Sequence, residues 1–516
     1  MSRFAVGAEH ASELEIPLES GVVRGISERG IRIWRGIPYA GPAGGENRFR
    51  APTPVVPWQG VRDCSTWGPV ATQLHKGQFV GAPPHVPQGE DCLNLNVLAP
   101  DAPADPGVLR PVMVFIHGGG YSVGSSREEP RRGEALVRSG GIVYVSFNYR
   151  LGGLGYLDFT RYSTPERPFE SNLGLRDQTA ALRWVRDNIR SFGGDPDRVT
   201  LFGESAGGNA VTTLMTVPAA AGLFHRAIAQ SASANAVYPP QLTATWAEHF
   251  VEILRGLLGD STADAATLLT KADPATLALA TSHLTLEAPD SAPGTTPLCP
   301  VIDGDFLPER PLDAFRDGRA QPIPLIIGTN AREGSLFSGR MDILASTPER
   351  IRAIFAKTPP DARLAIASHY PGIPDRPAAL DFAGDYSFWY PSVKVAEKHS
   401  RHAPVWFYRF DAAPLLVRRL GLDATHGLEM YPLFDGLNGW MGRGMTLLGG
   451  RRLFKSIGAR MRRWWLAFAE TGVPDPQWPQ YDEKTRATLI IDEVDRIELD
   501  PWQERRRAWR SFVPHV

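Results

Sequence analysis

A serine flanked by glycines is the feature of this chain with the clearest chemical potential. Residues 203–208 read Gly-Glu-Ser-Ala-Gly-Gly, which fits the pattern Gly-x-Ser-x-Gly. In proteins that use this pattern, a sharp strand-to-helix turn exposes the serine hydroxyl as a nucleophile. An apolar strand predicted at residues 199–202 and a helix predicted at 206–215 supply that context. The alternative is a glycine-rich loop with an incidental serine, and the flanking elements favour Ser205 as a nucleophile.

A second glycine-rich motif could stabilise negative charge. Residues 117–120 read His-Gly-Gly-Gly, directly after the apolar run 112–116. Acyl transfer needs N–H donors aimed at the oxygen that becomes negative, and glycines leave their amides unobstructed. We therefore predict an oxyanion hole formed by the amides of Gly119, Gly120 and Ala206. A phosphate loop would need Gly-Lys-Ser/Thr, which does not follow here, and we interpret His117 as orienting the loop rather than as a base.

A base and an acid should complete the set. The chain has 12 histidines, so position must select among them. Where this turn occurs, the chain order is nucleophile, acid, histidine. His426 follows a strand predicted at 405–410, whereas His399 and His402 precede it. Glu333 is the only carboxylate in the loop after a strand predicted at 323–327, and it would fix the tautomer of the imidazole. Chain order alone leaves open a packing histidine and an exposed loop glutamate.

The elements that must position these residues alternate along the chain. Short apolar runs at 112–116, 142–147 and 199–202 predict buried parallel strands, and the helical spacing at 175–189 lies between them. This alternation predicts an α/β fold with a doubly wound, mostly parallel central sheet. Residues 40–110 are rich in Gly and Pro and predict a long irregular connection.

The domain organisation follows from what lies between the later strands. Helix-rich stretches near 242–283 and 341–370 are too long for simple crossovers. We expect them to be insertions that cover the active-site end of the sheet and shape a pocket. No linker divides the chain, so we predict a single domain over residues 1–516.

Composition excludes several classes of function. With 55 basic and 56 acidic residues the net charge is −1, so we expect no nucleic-acid partner. A late basic run, which includes Arg451 and Arg452, is interpreted as the solvated face of a helix. No apolar run is long enough to cross a bilayer, and we expect no membrane partner. Nothing in the sequence indicates an oligomeric state.

Cysteine usage and the N-terminus point to a reducing compartment. Three cysteines do not make a disulfide scaffold, and no Cys/His cluster has the spacing of metal ligands, so we predict neither a metal nor a cofactor. Glu9, His10 and Glu13 fall where a secretion signal would carry apolar residues. We therefore predict a cytoplasmic location.

Taken together, the motifs resemble those of one family. From about residue 15 to 480 the chain resembles the type B carboxylesterases, which include bacterial para-nitrobenzyl esterases and the animal cholinesterases. The motifs that carry the resemblance occur in order: Gly-Ile-Pro-Tyr-Ala at 36–40, Arg48-Phe49, Glu-Asp-Cys-Leu-Asn-Leu-Asn at 90–96, His-Gly-Gly-Gly at 117–120, Asn-Tyr-Arg at 148–150, Asn-Leu-Gly-Leu-Arg-Asp-Gln at 172–178, Phe-Gly-Gly-Asp-Pro at 192–196, Gly-Glu-Ser-Ala-Gly-Gly at 203–208 and Gln230-Ser231. Such an ordered series is more specific than any single motif.

The resemblance implies an α/β-hydrolase fold and roles for particular residues. It implies a glutamate as the acid of the triad, which matches Glu333, and the histidine of a His-Gly segment, which matches His426. Ser231 resembles a serine that supports the triad through hydrogen bonds, and Glu204 resembles the acidic neighbour of the nucleophile. Disulfide-bonded members pair the cysteine that matches Cys92 with one nearer residue 71. Because only the displaced Cys64 is nearby, a Cys64–Cys92 bridge is doubtful.

The expected function is that of a serine carboxylesterase that hydrolyses small-molecule carboxylic esters through an acyl-enzyme intermediate. The alternatives are an amidase or lactonase, a hydrolase of a specialised bulky ester on the same triad, and a non-catalytic binding protein of the same fold. Tyr121, Phe388 and Trp389 are candidates for lining the substrate pocket, although aromatic runs are more often core. With an unperturbed imidazole, activity should rise near pH 6–7.

Overall fold

The computed structural model describes residues 14–74, 82–83, 85–102, 107–128, 132–338 and 342–512. Residues 1–13, which carry the prediction about a secretion signal, lie outside this part of the chain.

An 11-stranded sheet forms the centre of the molecule. In chain order its strands are β1 (Ile26–Glu28), β2 (Ile31–Pro38), β3 (Asn94–Pro100), β4 (Arg110–Ile116), β5 (Val143–Phe147), β6 (Gly194–Glu204), β7 (Arg226–Gln230), β8 (Leu325–Asn330), β9 (Val405–Phe410), β10 (Ala487–Ile491) and β11 (Arg496–Leu499). Outside it, the smaller sheets comprise Glu15–Leu18, Gly21–Arg24 and Val61–Asp63, and Val70–Ala71 with Gln88–Gly89.

The strand order is β11-β10-β9-β8-β7-β6-β4-β5-β3-β2-β1. All pairs from β10 to β5 are parallel, and the pairs at both edges are antiparallel. Side chains of a strand alternate between the two faces of a sheet. In β4, Val112 and Val114 join one hydrophobic core and Met113 and Phe115 join the other. The prediction of an α/β fold with a mostly parallel sheet packed on both faces is confirmed.

Helices cover both faces of the sheet. The α-helices comprise Glu134–Gly140, Gly153–Tyr156, Leu173–Asn188, Ala206–Leu214, Pro240–Leu258, Ala265–Lys271, Pro274–Ser291, Pro311–Arg316, Pro348–Ala356, Pro360–Ala367, Arg376–Gly384, Tyr390–His399, Leu415–Arg419, Met430–Leu433, Trp440–Met445, Arg451–Thr471 and Gln503–Ser511. A π-helix, Asp385–Trp389, joins two of them, and short 3-10 turns comprise Gly45–Asn47, Thr160–Tyr162, Ile189–Phe192, Pro218–Ala220, Glu333–Leu336 and Gly436–Asn438.

The expectation that residues 40–110 form only an irregular connection is wrong. β3 lies in this stretch and pairs with β2 and β5. Its apolar run is interrupted by Asn94 and Asn96, which are buried. Asn96 donates hydrogen bonds to Ser126 and Ser146, which lie 30 and 50 residues away in the chain. Because these partners are distant in sequence, the pattern of apolar and polar residues does not indicate that a buried strand lies here.

The two helical insertions extend further than predicted. The first runs from Pro240 to Ser291, past the expected end at 283. Pro289 lies inside its last helix, although proline usually ends a helix. The second includes Arg376–Gly384, beyond the expected end at 370.

Two smaller features concern the cysteines and the bilayer. Cys64, Cys92 and Cys299 are buried and free, in line with the doubt about a Cys64–Cys92 bridge. Among the described helices, none combines the length and the apolar character needed to span a membrane.

Candidate active site

The turn between β6 and the helix Ala206–Leu214 places Ser205 in an unusual backbone conformation. Its φ of 61° is in the left-handed region that non-glycine residues rarely adopt. A Cβ at Gly207 would lie 2.1 Å from the carbonyl oxygen of Ile116, and one at Gly203 would lie 2.6 Å from the carbonyl carbon of Gly207. Glycine is therefore required on both sides of the turn. This close packing holds Ser205 at the carboxyl end of β6, at the start of a helix.

The glycines after β4 approach the same turn. A Cβ at Gly118 would lie 3.0 Å from the Cβ of Ser205, and Gly119 has a φ of 116° that favours glycine. In the described part of the chain, the amides of Gly119, Gly120 and Ala206 make no hydrogen bond to another protein group. Three donors are therefore available beside the serine. Their assignment as an oxyanion hole stays a prediction.

The imidazole of His426 and the carboxylate of Glu333 are in direct contact. Nδ1 of His426 lies 2.5 Å from Oε2 of Glu333, with the N–H donating to the carboxylate. The other oxygen of Glu333 accepts hydrogen bonds from the hydroxyl of Ser231 at 2.6 Å and the amide of Asn330 at 2.7 Å. Both residues of the pair are buried. The carboxylate is thus fixed on one side while it orients the imidazole on the other.

The imidazole lies beside the residue that precedes Ser205, and no hydrogen bond joins it to the serine among the described residues. Within the described residues Nε2 of His426 has no hydrogen-bond partner, and it lies 3.4 Å from Oε1 of Glu204, the residue before Ser205. A Cβ at Gly427 would lie 3.1 Å from the same carboxylate oxygen. Contacts between a nucleophile and its base are often long without substrate and tighten when it binds. The loop of His426 and the turn of Ser205 therefore meet at Glu204.

The charge of His426 reflects its buried surroundings. Burial lowers the pKa of this imidazole, but Glu333, Glu204 and Glu429 favour the charged form and raise the pKa to about 9. Opposite charges act strongly in a site from which water is excluded. The expectation of an inflection near pH 6–7 therefore has to be moved to more alkaline pH.

A third carboxylate, Glu429, was not identified from the sequence. It is fully buried and accepts hydrogen bonds from Nδ2 of Asn330 at 2.5 Å and Nε2 of Gln230 at 3.5 Å. Burial raises its pKa to about 8, with Glu204 and Glu333 adding to the effect. The sequence feature that could have pointed to Glu429 is its position three residues after His426 in an apolar segment. Asn330 contacts both Glu333 and Glu429 and was also missed.

The aromatic residues that were predicted to line the substrate pocket lie in different parts of the structure. The ring of Phe388 lies 4.4 Å from the imidazole of His426. Phe337, which was not predicted, lies 5.2 Å from it. Trp389 packs against Trp502, and Tyr121 stacks on Tyr156 at 3.8 Å while its hydroxyl donates to Asn209. Phe388 thus flanks the imidazole, whereas Tyr121 and Trp389 are packed in the interior. Their roles in a pocket stay predictions.

Two other histidines were considered for the base. The ring of His117 stacks on Tyr149 at 4.4 Å, and its Nδ1 lies 2.9 Å from the carbonyl oxygen of Gly118. His399 contacts the carbonyl oxygen of Ile323 through Nε2. His117 is therefore engaged with its own loop, and His399, the last residue of the helix Tyr390–His399, is held against Ile323, just before β8.

Comparison with known proteins identifies relatives over nearly the whole chain. A family model described as the carboxylesterase family matches residues 12–509. Para-nitrobenzyl esterase of Bacillus subtilis is 36% identical over 499 residues, which cover 95% of this chain and 97% of that protein. Fumonisin B1 esterase of Sphingopyxis macrogoltabida is 34% identical and covers 90% and 84%.

Solved structures show the same likeness. A structure of a PNB esterase has a TM-score of 0.84 at 35% identity and covers 97% of this chain and 100% of its own. A carboxylesterase of Geobacillus stearothermophilus has a TM-score of 0.81 at 32% identity, with 96% and 100% covered.

Proposed function

The chain belongs to the carboxylesterase family, and from that premise we propose that Ser205, His426 and Glu333 are its catalytic triad. The protein is a serine carboxylesterase that hydrolyses carboxylic esters. The observation that carries the assignment is the 2.5 Å contact between His426 and Glu333 next to the strained turn of Ser205. A carboxylate on Nδ1 leaves Nε2 as the nitrogen that faces the nucleophile.

In the first step Oγ of Ser205 attacks the carbonyl carbon of the ester while Nε2 of His426 takes the hydroxyl proton. The carbonyl oxygen becomes an oxyanion that accepts hydrogen bonds from the amides of Gly119, Gly120 and Ala206. Glu333 stabilises the imidazolium that forms. Each donor of this kind contributes roughly 3–4 kcal/mol to the stability of the transition state.

The second half of the reaction releases the products and returns the enzyme to its starting state. The bond to the leaving alkoxide breaks, and the imidazolium gives it the proton, so the alcohol departs and the acyl group stays on Ser205. Water then loses a proton to His426 as its oxygen attacks the acyl carbon. Collapse of this intermediate releases the carboxylic acid and restores the serine hydroxyl. The chain's own residues supply every proton transfer.

The surroundings of the triad favour an uncharged, partly aromatic ester. Phe337 and Phe388 flank the imidazole, and the carboxylates of Glu333 and Glu204 lie near its Nδ1 and its Nε2. An anionic substrate would be repelled by this charge. One relative is named for para-nitrobenzyl esters, and we propose benzyl and aryl esters as the substrate class. An amidase or lactonase has no specific observation in its favour.

The wider organisation is proposed on similar grounds. Strands of one sheet come from residues 26 to 499, which supports a single domain across the chain. A cytoplasmic location and the absence of a nucleic-acid partner stay predictions from the sequence.

Replacement of the nucleophile tests the triad. We expect Ser205→Ala to lose on the order of 10⁴-fold or more of kcat on a para-nitrobenzyl ester, because no acyl-enzyme can form. Ser233→Ala is the matched control, since this serine lies in the loop after β7 and is given no role in the reaction. The circular dichroism of both variants should equal that of the parent protein. Turnover of Ser205→Ala near the parent level would refute the assignment.

A further inference from the structure

An exposed apolar cluster lies on a segment that follows the catalytic histidine loop. Trp440 is 80% exposed, Leu447 is 77% exposed and Leu448 is 44% exposed. All three belong to the short helix Trp440–Met445 and the turn after it. Single exposed apolar residues are common on protein surfaces, but an indole and two leucines within nine positions are a contiguous group. We call these residues, together with Arg443 and Arg452, the Trp440 face.

Three cations without a carboxylate partner among the described residues lie on or beside the Trp440 face, while Asp435, Glu28 and Glu134 line a surface pocket with Gly439, next to Trp440. Arg443, Arg452 and Lys455 are exposed, and residues 436–459 contain no aspartate or glutamate. Within the described residues none of the three cations has a carboxylate within ion-pair distance. Exposed arginines elsewhere in the described part of the chain include paired ones, such as Arg316 with Asp313, and unpaired ones, such as Arg363. The charge here is therefore left for an external anion.

A second basic segment adjoins the first. A Cβ at Gly450 would lie 3.3 Å from Pro414, so the turn after Leu448 packs against the start of the helix Leu415–Arg419. That helix presents Arg418 and Arg419 to solvent, and the neighbouring Leu415 and Leu420 are exposed as well. The apolar and basic character thus extends across two segments that are adjacent in the fold.

The start of the helix Arg451–Thr471 adds main-chain donors to this surface. It begins at Gly450 with no side-chain cap, and no acidic residue occupies its first turn. The first amides of a helix are unpaired and carry partial positive charge, which attracts phosphate groups. Arg451 donates to the carbonyl oxygen of Leu437 and to Oδ1 of Asn438, and Arg452 is exposed beside it, although cations are disfavoured at this end of a helix. An arrangement that is unfavourable for the isolated helix is favourable for binding an anion.

We propose that the Trp440 face docks on an anionic lipid membrane. Trp440, Leu447 and Leu448 enter the boundary between headgroups and acyl chains, where tryptophan is favoured, and the arginines meet lipid phosphates. A second copy of this chain does not fit, because it would bring the same cations against each other. A nucleic acid would leave the leucines without an apolar partner. The proposal departs from the sequence-based expectations of no membrane partner and of a solvated helix face.

Membrane docking would bring the enzyme to esters that partition into lipid. It goes beyond the proposed esterase function and does not depend on the triad, because none of the residues of the Trp440 face belongs to the catalytic machinery. Hydrolysis of a water-soluble ester therefore reports on the triad, while vesicle binding reports on this face.

Sedimentation with lipid vesicles tests the proposal. The full chain is mixed with phosphatidylcholine vesicles and with vesicles that also contain phosphatidylglycerol. We expect binding to the mixed vesicles alone, weakened by added salt. Trp440→Ser with Leu447→Ser should lose roughly tenfold or more of this binding through the apolar contacts, and Arg443→Gln with Arg452→Gln a similar amount through the charges. Each variant should hydrolyse a soluble ester at the parent rate.

The matched control is Leu364→Ser with Arg363→Gln, which changes an exposed leucine and an exposed arginine on the helix Pro360–Ala367 and should bind like the parent. No binding to mixed vesicles would overturn the proposal. Binding that survives the Trp440 and Leu447 changes would overturn it too, since another surface would then be responsible. A dimer that separates when Trp440 is replaced, without vesicle binding, would identify a second copy as the occupant instead.

Discussion

At the scale of single residues, the charge on His426 depends on three buried carboxylates. Glu333 contacts Nδ1, Glu204 lies near Nε2, and Glu429 lies deeper. Together they raise the pKa of His426 to about 9 despite its burial. Because the imidazole must be neutral to take the proton of Ser205, the alkaline pKa reduces the active fraction at neutral pH. The same charges stabilise the imidazolium as it forms.

The pH dependence of activity follows directly. We expect kcat/KM of the parent enzyme to rise with pH and to reach half its maximum near pH 9, because a raised pKa keeps the base protonated below that pH. Glu204→Gln removes one negative charge near Nε2 and should move the midpoint down by about one pH unit. Initial rates on a soluble ester across this pH range provide the measurement. An unchanged midpoint in Glu204→Gln would contradict the role of this charge.

Position 429 should tolerate an uncharged side chain of the same size, but not a smaller side chain. Burial raises its pKa to about 8, so the group is mainly neutral at pH 7 and glutamine imitates it. We expect Glu429→Gln to unfold at the same temperature as the parent protein. Glu429→Ala should lose about 2–4 kcal/mol of unfolding free energy, because it leaves a cavity and leaves the side-chain amide of Asn330 without this hydrogen-bond acceptor. Thermal unfolding of both variants at pH 7 tests this, and equal losses would show that the charge itself is needed.

The sequence alone was enough to propose the triad, but it did not predict the network of carboxylates around it. Ser205, His426 and Glu333 stand in recognisable motifs and in a characteristic order. Glu429 and Asn330 belong to no such motif, and their roles arise from contacts between segments 99 residues apart in the chain. A pKa depends on burial and on neighbours in space, neither of which is written in local sequence.

At the scale of elements, parallel strands bring the site together. Ser205 follows β6, the glycine loop follows β4, Glu333 follows β8 and His426 follows β9. Carboxyl ends of parallel strands share one edge of the sheet, so distant segments meet there. The tight turn at Ser205 is held by the approach of its helix to β4.

Adding one methyl group to this turn should therefore be costly. In Gly207→Ala the new Cβ would lie 2.1 Å from the carbonyl oxygen of Ile116, a main-chain atom that cannot move freely. We expect a loss of about 3 kcal/mol of unfolding free energy, at the upper end for overpacking, together with loss of activity. Gly256→Ala is the control, since its Cβ meets no atom and alanine favours a helix by roughly 0.5–1 kcal/mol. Urea unfolding measures both, and equal stability would refute the steric argument.

Elements were predicted from sequence with unequal success. The parallel strands β4, β5, β6, β8 and β9 contain short apolar runs, and each run was predicted. β3 was not predicted, because its buried asparagines interrupt the apolar pattern and form hydrogen bonds with partners far along the chain. The inner strand β10, the edge strand β11 and the helix Gln503–Ser511 were not predicted. β11 is mostly exposed and the helix is rich in charge, so neither has the apolar pattern on which such predictions depend.

At the scale of the whole molecule, the last helix is connected to the active site through packed side chains. Trp509 stacks on Phe382, and Arg505 pairs with Asp385 at 3.1 Å. Asp385 begins the π-helix that carries Phe388 against the imidazole of His426. The C-terminal end of the chain therefore supports an insertion that borders the triad.

Removal of this support should affect stability and activity together. Trp509 is almost fully buried, and Trp509→Ala should lose about 3–5 kcal/mol of unfolding free energy through the cavity that it leaves. We expect the temperature of half-inactivation to fall with the melting temperature, because the insertion and the sheet unfold as one unit. Trp440→Ala, at a position 80% exposed, should change neither. Separate transitions for the insertion and the sheet would contradict a single domain.

The most direct test of the triad is covalent labelling with a fluorophosphonate, followed by peptide mass spectrometry. The phosphorus probe is attacked only by an activated hydroxyl, so it reports on the relay without turnover of an ester. We predict one labelled residue, Ser205, at a rate that falls sharply in His426→Ala while the protein stays folded. A label on another serine, or equal labelling in His426→Ala, would contradict the account.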